Sequence, residues 1–438
     1  MTTWWAARAV IGGAVRHDVV IEAAGGILTR VEPDAEMPWH ARVLRGIVLP
    51  GAVNAHSHAF HRILRGRTHR GRDSFWAWRD QMYASAAVLD PDSYRALARA
   101  VFSEMLLAGY TAVGEFHYLH HAPGGAAYDD PNAMSAALAA AAEEAGIRLV
   151  LLDTLYLESA PGRPPDETQV RFSDGSAEQW VGRTAELRAT GLVTHGLAIH
   201  SVRAVPPGAI AIAAAVAHER GMPLHAHVSE QPRENDEALQ AYGRTPVEIL
   251  GEAGALDGDF TAVHATHLTA SDIGALGGSH VCVCATTERE LADGIGPIPA
   301  LRDAGAYLCL GSDSHAVIDP FEESRAIEMD ERLGSRHRGT FTGEELLTAM
   351  TSGGSAALGL PDAGLVVGSP ADFIEVGLSS VRLAGHGEAN LVDAVVYAAT
   401  SGDVCTVVVD GVERVRGGAH MSIDVAAELD RSIRSVAS

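Results

Sequence analysis

Ile47-Val48-Leu49-Pro50-Gly51-Ala52-Val53-Asn54-Ala55-His56-Ser57-His58 is the stretch whose reading decides the fold. An apolar run, leading in through Ile47-Val48-Leu49-Pro50, ends on two histidines spaced i and i+2. On a strand that spacing puts both imidazoles on one face, so both can reach one metal ion. His-x-His alone is a weak signal. Its weight comes from the pattern of the chain downstream.

Seven more apolar runs succeed it: Thr111-Ala112-Val113-Gly114-Glu115, Leu149-Val150-Leu151-Leu152, Thr194-His195-Gly196-Leu197-Ala198-Ile199, Pro223-Leu224-His225-Ala226-His227, Thr261-Ala262-Val263-His264, Val281-Cys282-Val283-Cys284 and Tyr307-Leu308-Cys309-Leu310-Gly311. Stretches rich in strong helix formers lie between them, such as 95–108 and 136–145. Eight βα units over roughly 300 residues predict an α/β fold, a (β/α)8 TIM-like barrel. Such a barrel carries its functional side chains at the C-terminal ends of its strands. His56 and His58, Glu115, His200, His227, His264 and Asp313 each end or closely follow an apolar run.

The two ends of the chain read as short strands with turn glycines. Residues 14–22, 26–31, 372–376 and 404–411 are enriched in β-branched residues, and Asp410-Gly411 is a hairpin signal. We expect the termini, residues 1–48 and 362–438, to combine into one small β-sandwich domain beside a catalytic barrel over 49–361. A chain of 438 residues is long enough for a large domain plus a small one.

Composition narrows the chemistry. Hydrophobic residues are 47% of the chain, a globular value. The net charge of −23 argues against nucleic acid or an anionic membrane surface as partner. An anionic substrate would have to be met by a local cluster of Arg or His. All 33 Lys-plus-Arg positions are arginine. Without lysine there is no Schiff-base chemistry and no P-loop lysine. Cys282, Cys284, Cys309 and Cys405 show neither zinc-ligand nor disulfide spacing and read as free thiols of a reducing compartment. The N-terminus lacks a signal-peptide pattern, and no apolar run approaches the ~20 residues of a membrane span. A cytoplasmic protein is expected.

The candidate residues form one set. His56, His58 and His227 with Asp313 make an N3O donor set suited to one divalent ion, most naturally Zn2+, with a further position for water. Such an ion lowers the pKa of water to about 7. Asp313 can both ligate and accept a proton from that water. Glu230 lies three residues after His227, where it can reach over the metal. His264 ends its strand and can polarise the substrate. Each has a plainer reading: an N-cap for Asp313, a solvated loop carboxylate for Glu230, and packing for His225 and His267.

In order along the chain, Leu49-Pro50-Gly51, His56-Ser57-His58, His227, Glu230, His264, Gly311-Ser312-Asp313-Ser314-His315 and the stretch 364–373 resemble the amidohydrolase superfamily. Members with two metals often bridge them by a carboxylated lysine. The absence of lysine therefore implies the mononuclear, deaminase-type site. Within the superfamily, Ser57-His58-Ala59-Phe60, Ser74-Phe75-Trp76-Ala77-Trp78-Arg79, the run 114–121, His200-Ser201-Val202-Arg203-Ala204-Val205, Ser229-Glu230-Gln231, Thr286-Thr287-Glu288 and Asp293-Gly294-Ile295 resemble the formimidoylglutamate deiminases. That resemblance implies hydrolysis of N-formimidoyl-L-glutamate to N-formyl-L-glutamate and ammonia, in histidine degradation, by a homodimer. It also implies substrate contacts at Arg79, Tyr118, His200 and Arg203. Two arginines suit a dicarboxylate in an acidic protein. His61 stands where the group's pattern has Gln; it can serve the same carboxylate or signal a shifted substrate. The competing readings are a mononuclear aminohydrolase of a purine, pyrimidine or related ring, which needs no arginine pair, and a non-catalytic scaffold, which needs no acid/base residues.

Overall fold

The computed structural model describes residues 1–69 and 75–436. Ser74 of the run 74–79 lies outside the described residues. Four strands open the chain: β1 (Thr2–Ile11), β2 (Ala14–Ala24), β3 (Ile27–Glu32) and β4 (Arg42–Pro50). The next eight are β5 (Ala52–Ser57), β6 (Tyr110–His117), β7 (Arg148–Leu155), β8 (Val193–Ile199), β9 (Leu224–Val228), β10 (Phe260–His264), β11 (His280–Val283) and β12 (Tyr307–Leu310). Near the C-terminus come β13 (Phe373–Val376), β14 (Val404–Val409), β15 (Val412–Arg416) and β16 (Ala419–His420).

β5 to β12 form one sheet in chain order, each neighbouring pair parallel. Helices intervene between most of them, as in a TIM-like barrel. The helix Pro91–Ala108 is representative: Asp90 caps it in a capping box, Pro91 starts it, and Gly109 ends it in the left-handed region at φ 104°. It buries Leu97, Val101, Phe102, Met105 and Leu106 against the strands.

The barrel is drawn closed at its C-terminal end, where Ser57 and Asp313 form a parallel bridge. Asp313 N–H donates to the His56 carbonyl (3.0 Å), and His58 N–H to that of Asp313 (3.2 Å). Beneath it Asn54 and Ser312 join side chain to side chain (2.6 Å) and side chain to backbone (3.0 Å). The seam that closes the barrel thus also brings His56 and His58 to Asp313.

The terminal strands form a separate mixed sheet in the order β16-β15-β14-β13-β4-β1-β2-β3. Among the described residues its only parallel pair is β1–β4. Trp4 and Phe373 pack edge to face, centroids 5.1 Å apart, in its core. Asp410 and Gly411, at φ 56° and 71°, turn β14 into β15 as the dipeptide signal predicts. One expectation needs correcting. Ile47-Val48-Leu49-Pro50 does not run on into the first barrel strand. It ends β4, paired with β1 and β13, and the barrel begins after Gly51 with β5. The run is apolar because both sheets bury it, so hydropathy alone could not divide it.

Arg148 at the start of β7 fastens the two sheets through Asp372 (2.9 and 3.2 Å). The four cysteines are free thiols. Among the described residues no helix is long and apolar enough to cross a membrane.

Candidate active site

The polar residues read at strand ends do end or follow barrel strands. His56 is in β5 and His58 just past it; His200 follows β8; His227 is in β9, with Glu230 beyond; His264 ends β10; Asp313 follows β12. The backbone is distorted there. Ser229, His264, Ala265, Asp313 and His315 hold φ of 53°, 69°, 53°, 40° and 57°, in the left-handed region that costs a non-glycine residue energy.

His56, His58, His227 and Asp313 converge, all buried. His58 donates from Nδ1 to the Phe116 carbonyl (2.9 Å), and His227 from Nδ1 to that of His200 (2.8 Å). Both Nε2 atoms are thereby left as lone pairs. They point at each other across 3.4 Å, and His227 Nε2 lies 3.2 Å from His56 Nε2. Asp313 Oδ1 is 3.4 Å from Nε2 of both His56 and His58. Lone pairs so placed repel unless a cation lies between them. A tetrahedron with bonds of the zinc–nitrogen length has edges of about 3.3 Å, and the four observed separations match it. Burial lowers the pKa of all three imidazoles, which keeps them neutral as ligation requires. Burial would raise Asp313, but His56 and His264 outweigh it and hold the carboxyl well down.

Glu115, the strand-end carboxylate of β6, stands behind this set. It takes the Ser57 hydroxyl (2.5 Å) and Ala59 N–H (2.6 Å), bracing the loop that carries His58. Burial pushes it up to about 8. His225, one layer deeper, donates to the Ala357 carbonyl (2.8 Å), and His267 to that of Asp293 (2.8 Å). Both keep the packing role expected of them.

A pocket opens above the set. His61, Arg79, Tyr118, His200 and Arg203 all line it, with Glu230, His264 and Asp313. His61 reaches the Tyr118 hydroxyl (3.1 Å), and burial lowers it to about 3, so it is neutral there. Arg203 donates to the Ser159 carbonyl (3.0 Å). Burial opposes its charge, but Tyr156, Tyr83 and Glu234 keep it protonated. The Arg79 guanidinium lies 5.5 Å over the Tyr83 ring. His264 has Nε2 3.8 Å from both Glu230 and Asp313. Burial alone would lower it, yet Glu230, Glu288 and Asp313 raise it to about 10.

Sequence reasoning missed Tyr156, Tyr83 and Glu234 in this cavity. Tyr156 directly follows β7, so the strand-end rule contained the signal for it. Tyr83 and Glu234 are on helices and carry no local mark. The polar residues of the run 114–121 divide. Tyr118 enters the cavity, whereas His117 and His120 lie behind it with Asp153. That second cluster is a structural network: Asp153 is already taken by both Arg183 NH groups (2.8 Å each) and Trp180 Nε1 (2.9 Å).

Comparison with known proteins agrees with this architecture. Residues 47–414 match the model of the amidohydrolase family. The chain is 38% identical over 437 residues to formimidoylglutamate deiminase of Pseudomonas aeruginosa, with 96% of each chain covered. It superposes on an amidohydrolase from Brucella melitensis with a TM-score of 0.92 at 30% identity, each chain covered in full. An adenosine deaminase from Xanthomonas campestris with bound zinc gives a TM-score of 0.84 at 23% identity, covering 100% of this chain and 97% of its own. The chain belongs to the amidohydrolase family.

Proposed function

We propose that this chain hydrolyses N-formimidoyl-L-glutamate to N-formyl-L-glutamate and ammonia. The observation that carries the reading is that Arg79 and Arg203, from separate elements, line the cavity into which Glu230, His264 and Asp313 point. A protein of net charge −23 has little reason to bring two guanidinium groups there unless its substrate is an anion. The 38% identity to the Pseudomonas deiminase supports it.

His56, His58, His227 and Asp313 would hold one divalent ion. The donor set and its spacing favour Zn2+, the metal bound in the adenosine deaminase of the same fold. When bound, the ion supplies Lewis acidity that makes water a nucleophile near neutral pH. Asp313 accepts the proton as the water oxygen bonds to the formimidoyl carbon. Glu230 faces the imine nitrogen, and His264 sits between Glu230 and Asp313 to stabilise the developing charge. The tetrahedral carbon re-forms a C=O bond as its C–N bond breaks, and ammonia leaves carrying the transferred protons. Arg79, Arg203, Tyr118, His200 and His61 hold the glutamyl carboxylates. The barrel from β5 to residue 361 carries this chemistry, beside the composite unit of the two termini. The reading extends to a cytoplasmic homodimer acting in histidine degradation.

The test is metal analysis joined to ammonia release from N-formimidoyl-L-glutamate, guanine, cytosine and adenosine. Turnover of the formimidoyl substrate supports the proposal. Release from a heterocycle alone replaces it with a ring deaminase. Light scattering in solution tests the dimer.

A further inference from the structure

Thr286-Thr287-Glu288 has no part in the chemistry so far. Glu288 lies on the helix Ala285–Leu291, which follows β11, and its side chain is buried beneath His264. We propose that Glu288 is a positioning residue, which fixes the His264 ring so that Nε2 faces Glu230 and Asp313.

The need for such a residue comes from the backbone. β10 ends on His264, and His264 and Ala265 both turn left-handed, at φ 69° and 53°. Strand pairing therefore stops short of defining the ring's direction. His264 Nδ1 lies 3.4 Å from Glu288 Oε1, and that is the hydrogen bond the ring makes among the described residues. Nε2 on the opposite side is 3.8 Å from Glu230 Oε1 and 3.8 Å from Asp313 Oδ2, beyond hydrogen-bond distance of either. A carboxylate can only accept, so Glu288 keeps a proton on Nδ1 and excludes the flipped ring. Glu288 is itself held: Oε1 also accepts Cys284 N–H (3.0 Å), and its backbone carbonyl accepts Asp293 N–H (2.9 Å). Asp293 in turn is clamped by the side chain of Gln231, the neighbour of Glu230. The loops after β9 and β11 are thus tied together around His264.

This inference rests on the hydrolytic role proposed for His264. The test compares the metal-loaded wild type with E288Q and E288D on N-formimidoyl-L-glutamate, with metal content and Tm measured on the same samples. E288Q keeps the size, but its amide can donate as well as accept, so it no longer enforces the proton on Nδ1. It should lower kcat about tenfold, with KM, metal content and Tm close to wild type. E288D, which keeps the charge, should recover part of the lost kcat. An unchanged kcat in E288Q overturns the inference. So does a fall in kcat accompanied by loss of metal or of Tm, which would make Glu288 merely structural. A wild type inactive on this substrate refutes the proposed function instead, and the kcat and KM comparison is then made on whichever ring substrate releases ammonia.

Discussion

Replacing Arg203 by Met removes a buried charge while keeping a long apolar stem, and its effect can be worked from the structure. The guanidinium spends one N–H on the Ser159 carbonyl, 3.0 Å away, and lines the cavity beside Tyr156. The remaining donors can grip one substrate carboxylate. Hydrogen bonds to charged groups contribute about 1.5–3 kcal/mol each. Losing the pair, partly offset by relief of burying the guanidinium, should cost about 3 kcal/mol. That is about 150-fold in kcat/KM. The assay is continuous ammonia release from N-formimidoyl-L-glutamate, run beside an N-alkylformamidine that has no carboxylates. R203M should lose about 150-fold on the first and run near wild type on the second. If both substrates lose activity equally, Arg203 shapes the fold rather than the substrate site. If neither does, the carboxylate assignment is refuted.

Three other outcomes are expected. H227A lacks one of four converging donors, so metal content by atomic absorption and deiminase activity should vanish together; full activity in metal-free H227A would refute the donor set. Gly311→Ala puts a Cβ 2.7 Å from the His56 Cβ and 2.9 Å from both the His56 carbonyl and Cys284 Sγ. It should weaken metal retention against a chelator with only modest change in Tm, and unchanged retention would count against the tight seam. The Asp153 carboxyl, which burial would raise, is held down from 3.8 to about 2, mainly by Arg183. A depressed carboxyl stabilises the fold above its unfolded value and loses that contribution as pH falls through the folded one. The urea midpoint should therefore drop by an amount worth about 2 kcal/mol between about pH 4 and pH 2. The paired variant R183M/D153N should lose this part of the acid sensitivity, and an identical acid limb would refute it.

Much of the site was legible because a barrel puts its chemistry where strands end, and strand ends are local features. His58, His227, His264 and Asp313 were readable as polar residues closing apolar runs. Tyr156 obeyed the same rule and was passed over, being an aromatic after an apolar run and so indistinguishable from core. Glu288 stood in a recognised motif without a role, because its partner His264 comes from another strand.

By itself the sequence determined eight parallel strands, the residues at their ends, and a chain without lysine that must meet an anion with arginine. Only the tertiary structure decided that Ile47-Val48-Leu49-Pro50 belongs to the terminal sheet, that His117 and His120 turn away from the cavity, and that Glu288 stands under His264. Hydropathy and strand period are short-range patterns and can be read within a few residues. Which face meets which partner depends on hydrogen-bond register between segments as distant as Asn54 and Ser312, and no local pattern carries that information.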